Sequence, residues 1–203
     1  AIAWLGSVGF ISTKVEPIFD NVIDQAQNYM TEMMPYLTYQ KSEFNKGFFN
    51  SSAKSVLTVS ADLFDGDEDI DVHFKHTIHN GPLLITTSGI KVGTSYIEST
   101  LDMDGLNADV QAEISALFLG EEPIYSAVLT SFNGMVTEEF EISAFSFSDE
   151  ESQISVDKTM GTISTDKDMT AISGYVSIGE VDFLALDEQG QEIKGHLAAS
   201  RLD

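Results

Sequence analysis

Cysteine is absent from the 203 residues, and arginine occurs once, at Arg201. Without thiols there is no disulfide scaffold, no thiolate nucleophile and no Cys-ligated zinc or iron–sulfur site. With a single arginine, bidentate recognition of carboxylate or phosphate is nearly unavailable. Basic residues are scarce altogether: 10 Lys+Arg stand against 33 Asp+Glu, a formal net charge of -23. A surface this acidic repels phosphate backbones, so nucleic acid is not an expected partner. Direct attraction to anionic lipid headgroups is not expected on the same ground. The charge instead favours solubility, in a salty medium included. There is no Gly-rich phosphate loop and no Gly-x-Ser-x-Gly nucleophile elbow.

What is present begins with an apolar stretch. Ala1, Ile2, Trp4, Leu5, Val8, Phe10 and Ile11 precede the polar Ser12-Thr13-Lys14. This stretch is shorter than the roughly 20 apolar residues that span a bilayer. It also lacks the basic start of an intact signal peptide. The expectation is the outer half of a signal anchor or the first stretch of a mature chain, with a buried helix or an assembly contact as the alternative. Residues 1–12 therefore stand as an anchor or assembly segment, and 13–203 as one α+β domain with a subdivision near 120.

Beyond Pro17, the residues Ile18, Phe19, Val22, Ile23, Ala26, Met30, Met33 and Met34 recur at helical spacing up to Pro35. They predict an amphipathic helix whose methionines fill core. The period then changes to two. Val56, Thr58 and Ser60 alternate with Leu57, Val59 and Ala61, and a second strand runs over 70–78. These predict a long hairpin with an acidic tip at Asp65–Asp69, ended by Gly81-Pro82. More strand follows over 85–101. A second helix is expected over 104–119, with Leu106, Val110, Ile114, Leu117 and Phe118 on one face, Asp104 as N-cap and Gly120 as stop. Asn133-Gly134 then marks a hairpin between 124–132 and 135–147. Further strands are expected over 152–157, 160–165, 170–178, 181–186 and 192–199. The fold class is α+β: an N-terminal helix, a long β-hairpin, a second helix, then an extended antiparallel β-meander.

Three constellations invite chemistry, and each reads more simply as structure. His73, His76 and His79 alternate faces on a strand, and His73 and His79 stand about 20 Å apart, too far to share a metal. Asp65, Asp67, Asp69 and Asp71 fail the EF-hand pattern, since Ile70 falls at position 6 and His76 at position 12. Asp102 fails it too, with Leu106 at position 5; weak calcium binding at the acidic tip stays open. Glu121-Glu122, Glu138-Glu139 and Glu150-Glu151 are adjacent on strands or turns and so diverge, which suits solubility rather than acid–base work. No catalytic residue, no metal site and no cofactor is expected.

One stretch carries a resemblance. Phe44, Lys46, Gly47, Phe48 and the Ser-rich start of a strand at Ser51-Ser52 are followed later by His79-Asn80-Gly81-Pro82-Leu83. This resembles the YdgA-like family of bacterial envelope proteins, whose function is not established. The family pattern has Arg where Lys46 stands, and no residue where Asn80 is inserted. The resemblance implies an N-terminal signal anchor and a periplasmic or extracellular location, soluble or anchored to the inner membrane. Read as architecture, Gly47 permits a bend between aromatic anchors, and Gly81-Pro82 ends a strand.

The expected function is non-enzymatic: self-association into a homo-oligomer, or binding of an envelope protein partner. Membrane contact is expected only through the N-terminal segment. The alternative is a carrier or scaffold for a lipophilic ligand or lipid, on a candidate apolar face carrying Phe140 and Ile142 on one side of a strand and Phe145 and Phe147 on the other. A hydrolase of envelope polymers is a distant third, because no carboxylate spacing supports it.

Overall fold

The computed structural model describes residues 8, 11–63, 67–87, 89–149, 152–166, 170–186 and 191–203. Helix α1 (Val15–Met33) opens with Glu16 and Pro17 in its first turn, where an unbonded N–H costs nothing. Its buried stripe is Val15, Phe19 and Ile23, one residue per turn. This is narrower than the predicted face. Ile18, Val22, Met33 and Met34 are exposed, because the helix lies along only one flank of a sheet.

The strands form two large antiparallel sheets and one small one. The first hairpin pairs β1 (Leu37–Asn45) with β2 (Asn50–Val59), and β2 pairs in turn with β3 (Ile70–Asn80). The sequence pattern missed β1, whose residues are largely polar; it is an edge strand of a nine-stranded sheet. The predicted hairpin over 56–78 is the β2–β3 pair, extended at its start. Its acidic tip is partly described: Asp69 accepts from Ala61 N at 2.9 Å and Asp71 from Thr58 Oγ1 at 2.6 Å. Asp65 lies outside the described residues.

The predicted strand over 85–101 is three strands. A small hairpin of β4 (Leu83–Thr86) and β5 (Gly89–Val92) precedes β6 (Ser95–Leu101), which returns to pair with β3. Gly81-Pro82 and Gly93-Thr94 break the two long strands opposite one another, so the small hairpin turns away from the large sheet and over one of its faces. Gly81 has φ 122°, and a Cβ there would come within 2.8 Å of Val8 Cγ2. Gly81→Ala is accordingly expected to cost about 2–4 kcal/mol, left-handed strain plus overpacking. Urea unfolding measures it, and adding Val8→Ala should restore the packing share alone.

A single 3₁₀ turn, Met103–Gly105, follows, capped by Asp102. Helix α2 (Ala108–Leu117) is capped by Asn107, which accepts from Val110 N at 2.9 Å. The predicted N-cap, Asp104, belongs instead to the 3₁₀ turn: Leu106 breaks the helical path before a second cap restarts it. Leu119 and Gly120 close the helix with positive φ, as expected of Gly120.

The rest is meander. Strand β7 (Ile124–Thr130) turns at Asn133-Gly134 into β8 (Val136–Ile142). Four long strands then run back and forth, and all four break at the same level. The breaks separate β8 from β9 (Phe145–Ser148), β10 (Ser152–Val156) from β11 (Thr159–Thr165), β12 (Ile172–Ile178) from β13 (Val181–Leu186), and β14 (Glu192–Leu197) from β15 (Ser200–Leu202). On one side of this crease the segments complete the nine-stranded sheet, β1-β2-β3-β6-β7-β8-β11-β12-β15. On the other they form a separate four-stranded sheet, β14-β13-β10-β9. The fold is thus α+β with a long antiparallel meander, as the sequence implies. Among the described residues, no helix is long and apolar enough to cross a membrane.

Candidate functional site

Strand β3 carries a buried histidine on each side of the large sheet. His76 faces α1, beside Ala53, Ser55 and Ser99, with the Phe19 ring 5.2 Å away. Ser55 donates to Tyr39 Oη at 2.8 Å. The Ser55 oxygen then accepts from His76 Nε2, also at 2.8 Å, and His76 Nδ1 accepts from Ser99 at 2.8 Å. The serine–imidazole contact has the length of a nucleophile and its base, but Ser55 is fully buried and its proton is committed to tyrosine. Burial pushes the imidazole down to about 4.

His79 faces the other way, under the β4–β5 hairpin. Its Nε2 donates to Glu98 Oε2 at 2.7 Å. Glu98 also accepts from Thr87, in the turn of that hairpin, and from Tyr125 at 3.3 Å. Burial alone would raise the Glu98 carboxyl, but the bonds from Thr87 and His79 outweigh it and hold the group below its ordinary value. Burial pushes the Tyr125 phenol upward, with help from Tyr96 and Glu98. Leu84 of β4, Tyr96 and Ala127 seal this cluster with a second small core.

The two motifs of the resemblance meet at this end of β3. Gly47 makes the β1–β2 turn, where a Cβ would lie 1.7 Å from Asn50 O. The carbonyls of Gly47 and Phe48 accept from Asn80 Nδ2 at 3.3 and 3.4 Å, and Ser51 Oγ accepts from it at 3.3 Å. Phe44 packs on Phe19 at 6.1 Å, while Lys46, Phe48 and Ser52 are exposed. Pro82 O accepts from Gly93 N at 3.3 Å and so fixes the corner. Beside it lies a cavity of about 390 Å³, lined by Phe49, Asn50, His79, Asn80 and Leu83–Ile85. Sequence reasoning did not find the partners Glu98, Thr87 and Tyr125. They come from three further segments, and no spacing links them.

Of the N-terminal segment, Val8 is fully buried against Gly81, and Ile11 packs half-buried on the α1 core. Ala1, Ile2, Trp4, Leu5 and Phe10 lie outside the described residues, as do Glu150 and Glu151.

The four aromatic and aliphatic residues of the candidate apolar face divide at the crease. Phe140 and Ile142 lie on the α1 side of the nine-stranded sheet, and the Phe140 ring covers Gly161. Phe145 and Phe147 open one face of the four-stranded sheet. The register aligns them with Ile154 and Val156, then Val181, Phe183 and Ala185, then Ile193 and Leu197. Every side chain on that face is apolar except Ser152; Gly195 completes it, roofed by the Phe183 ring. Phe147, Phe183, Ile193 and Leu197 remain exposed, at 48, 42, 51 and 63%. Phe118, just after α2, touches Phe145 at 5.6 Å. The opposite face is mostly polar, with Leu184 and Leu186 of β13 on it. There His196 and Asp182 form an exposed pair at 2.8 Å, near enough to Glu180 for the three to share a cation. Exposed groups of this kind are ordinary surface charge.

Fold and site define an acidic α+β meander protein with a histidine-lined corner cavity and an open apolar sheet face. The chain belongs to the family described as "Bacterial protein of unknown function (DUF945)", which matches residues 1–198. No curated protein and no solved structure matches it.

Proposed function

We propose that this bacterial protein is a non-enzymatic, YdgA-like component of the cell envelope that works by self-association or by binding a protein partner. The observation that carries the reading is the uncovered apolar face of the four-stranded sheet. An antiparallel sheet with one polar and one apolar face is stable when the apolar face is covered. Here Phe118 reaches it at Phe145, while Phe147, Phe183, Ile193 and Leu197 stay exposed. A second copy of the same face is the simplest cover, since a two-fold contact needs no second surface. Open edges at β1, β15, β14 and β9 offer strand pairing in addition. The acidic charge favours protein over nucleic acid or anionic lipid as partner. The apolar residues from Ala1 to Leu5 fit an anchor, and with it the periplasmic or extracellular side, while Val8 and Ile11 pack on the chain's own core.

Native mass spectrometry of the full chain tests this. Discrete multiples of the chain mass are expected, reverting to monomer with Phe183→Asp while the thermal midpoint of the monomer is kept. A monodisperse wild-type monomer at high concentration sinks the self-association reading. A monomer with a lipid-sized adduct, lost in the same variant, selects the lipophilic-carrier alternative on the same face.

A further inference from the structure

We infer that the β4–β5 hairpin is a membrane contact, its outer face resting in the surface of a lipid bilayer beside the apolar start of the chain. This goes beyond self-association and uses a different part of the molecule. The register pairs Leu83 with Val92 and Ile85 with Ile90, so these four side chains share one face of the hairpin. Leu84, between them, points the other way into the second small core. The hairpin is thus apolar on both faces, and the outer one meets solvent. Leu83 and Val92 are 43 and 60% exposed, and Ile85 and Ile90 are 70 and 69% exposed. The exposed rings of Phe48 and Phe49 stand beside it, in the β1–β2 turn. Asn80 N donates to Phe49 O at 2.7 Å and ties that turn to the corner, and Phe49 lines one cavity with Leu83 and Ile85.

Charge marks this end of the nine-stranded sheet. Residues 1–15, 44–61 and 72–97 contain no Asp or Glu, in a chain with 33 of them, and carry Lys14, Lys46, Lys54, Lys75 and Lys91. The three segments meet at the Gly81-Pro82 corner. There Val8 packs on Gly81, and Asn80 Nδ2 donates to the carbonyls of Gly47 and Phe48. Glu98, under the hairpin, is buried and paired with His79. The acid-free zone is bounded by Glu43 on β1 and by Asp166, which lines a cavity with Met135. At the opposite end of the same strands lie Asp69 and Asp71, Asp102 and Glu122. The corner end is therefore the one part of a very acidic molecule that headgroups do not repel. Its lysines can lie along the apolar surface and keep their charge in water.

The occupant follows from what lies beside the hairpin. Leu5 stands three residues before Val8 and Trp4 four, which at full extension is about 11 and 14 Å. Tryptophan favours the membrane–water interface. A bilayer that takes up these residues meets the hairpin at the same level. It needs no matching groove, which suits an exposed hairpin, and its hold grows with the apolar area it covers.

The chain has no cysteine, so Ile90→Cys can carry a single bimane label on the full-length protein. On adding phosphatidylcholine vesicles, the label should shift to the blue, and lipid brominated in its acyl chains should quench it. The same label at Asp67→Cys, on the acidic tip, should not respond. Trp4, the only tryptophan, reports the N-terminal segment in the same sample. In flotation with unlabelled protein, Ile85→Asp with Ile90→Asp should weaken vesicle binding at least about tenfold, the loss of roughly one buried aliphatic side chain. Both positions are exposed, so the thermal midpoint should be kept. Phe183→Asp should leave vesicle binding unchanged, which separates this contact from self-association. The proposal is overturned if Trp4 responds without the label at 90, if the labels at 90 and 67 respond alike, if the aspartate pair floats like the wild type, or if Phe183→Asp abolishes binding. A blue shift at 90 that grows with protein concentration and needs no vesicles would assign the hairpin to a second copy and overturn it equally.

Discussion

Glu98→Ala is expected to lower folding stability by about 3–5 kcal/mol, a large share of what a domain of this kind possesses. The carboxylate is 7% exposed and receives hydrogen bonds from His79, Thr87 and Tyr125. Its removal leaves three donors without their acceptor, one of them, His79, deeply buried, with Tyr125 half-buried and Thr87 exposed. The cost comes from those orphans more than from the lost ion pair, and this distinction can be measured. Glu98→Leu combined with His79→Phe removes acceptor and donor together and should recover much of the loss. A double-mutant cycle by urea unfolding then reports the coupling. A loss below about 1 kcal/mol for Glu98→Ala would mean that water reaches the cluster. The same variant frees the His79 ring to change tautomer, so its nitrogen shifts should move toward an even mixture.

Acid should weaken the fold through His76. Burial holds the folded ring down to about 4, whereas the unfolded ring titrates near 6.5. As pH falls below 6.5 the unfolded chain takes up a proton that the folded chain refuses. The contribution of this site is therefore whole above pH 6.5, declines between 6.5 and 4, and is exhausted below. Over that window it amounts to about 3 kcal/mol. Many carboxylates lose their mutual repulsion in the same range, which acts in the opposite sense. The measurement is thus a difference: wild type minus His76→Gln, by urea unfolding at several pH values. The difference should fall with decreasing pH from 6.5 to 4, and a flat difference would show that the ring is protonated within the fold. Glu98, held below its ordinary value, adds its own loss at still lower pH.

Much of the fold was legible because the pattern recorded what is covered. Phe19 and Ile23 lie a turn apart, and Asn133-Gly134 can hardly be anything but a turn. The illegible parts have physical reasons. Strand β1 is polar, so it carries no alternation. Ile18 and Val22 look like core and are exposed, because helical spacing cannot tell which flank the sheet will leave open. The breaks at 157–158 and 179–180 fall where the expected strands end, but the one at Ser143-Ala144 lies inside the strand expected over 135–147, and nothing in the pattern shows that the breaks line up as one crease. At the site, the Gly-Pro corner and His79 could be picked out, but Glu98 is 19 residues along the chain from the histidine it holds. Only the register of β3 on β6, which sets Glu98 opposite Thr77 beside His79, brings them together.

The meander also sets the order in which the molecule can be made. In both large sheets, each strand pairs with one that precedes or follows it closely, apart from the short excursions that build the other sheets. Loop closure is therefore cheap at every step, and no strand waits for a distant segment to be synthesised. The helix and the first hairpins can close while the ribosome is still working on the rest. The apolar face of the four-stranded sheet follows another schedule. Its last row, Ile193 to Leu197, arrives within the final stretch of this sequence. A nascent chain thus carries that face in fragments until Leu197 has emerged, and displays it whole only after the strands of the nine-stranded sheet that precede it have been made.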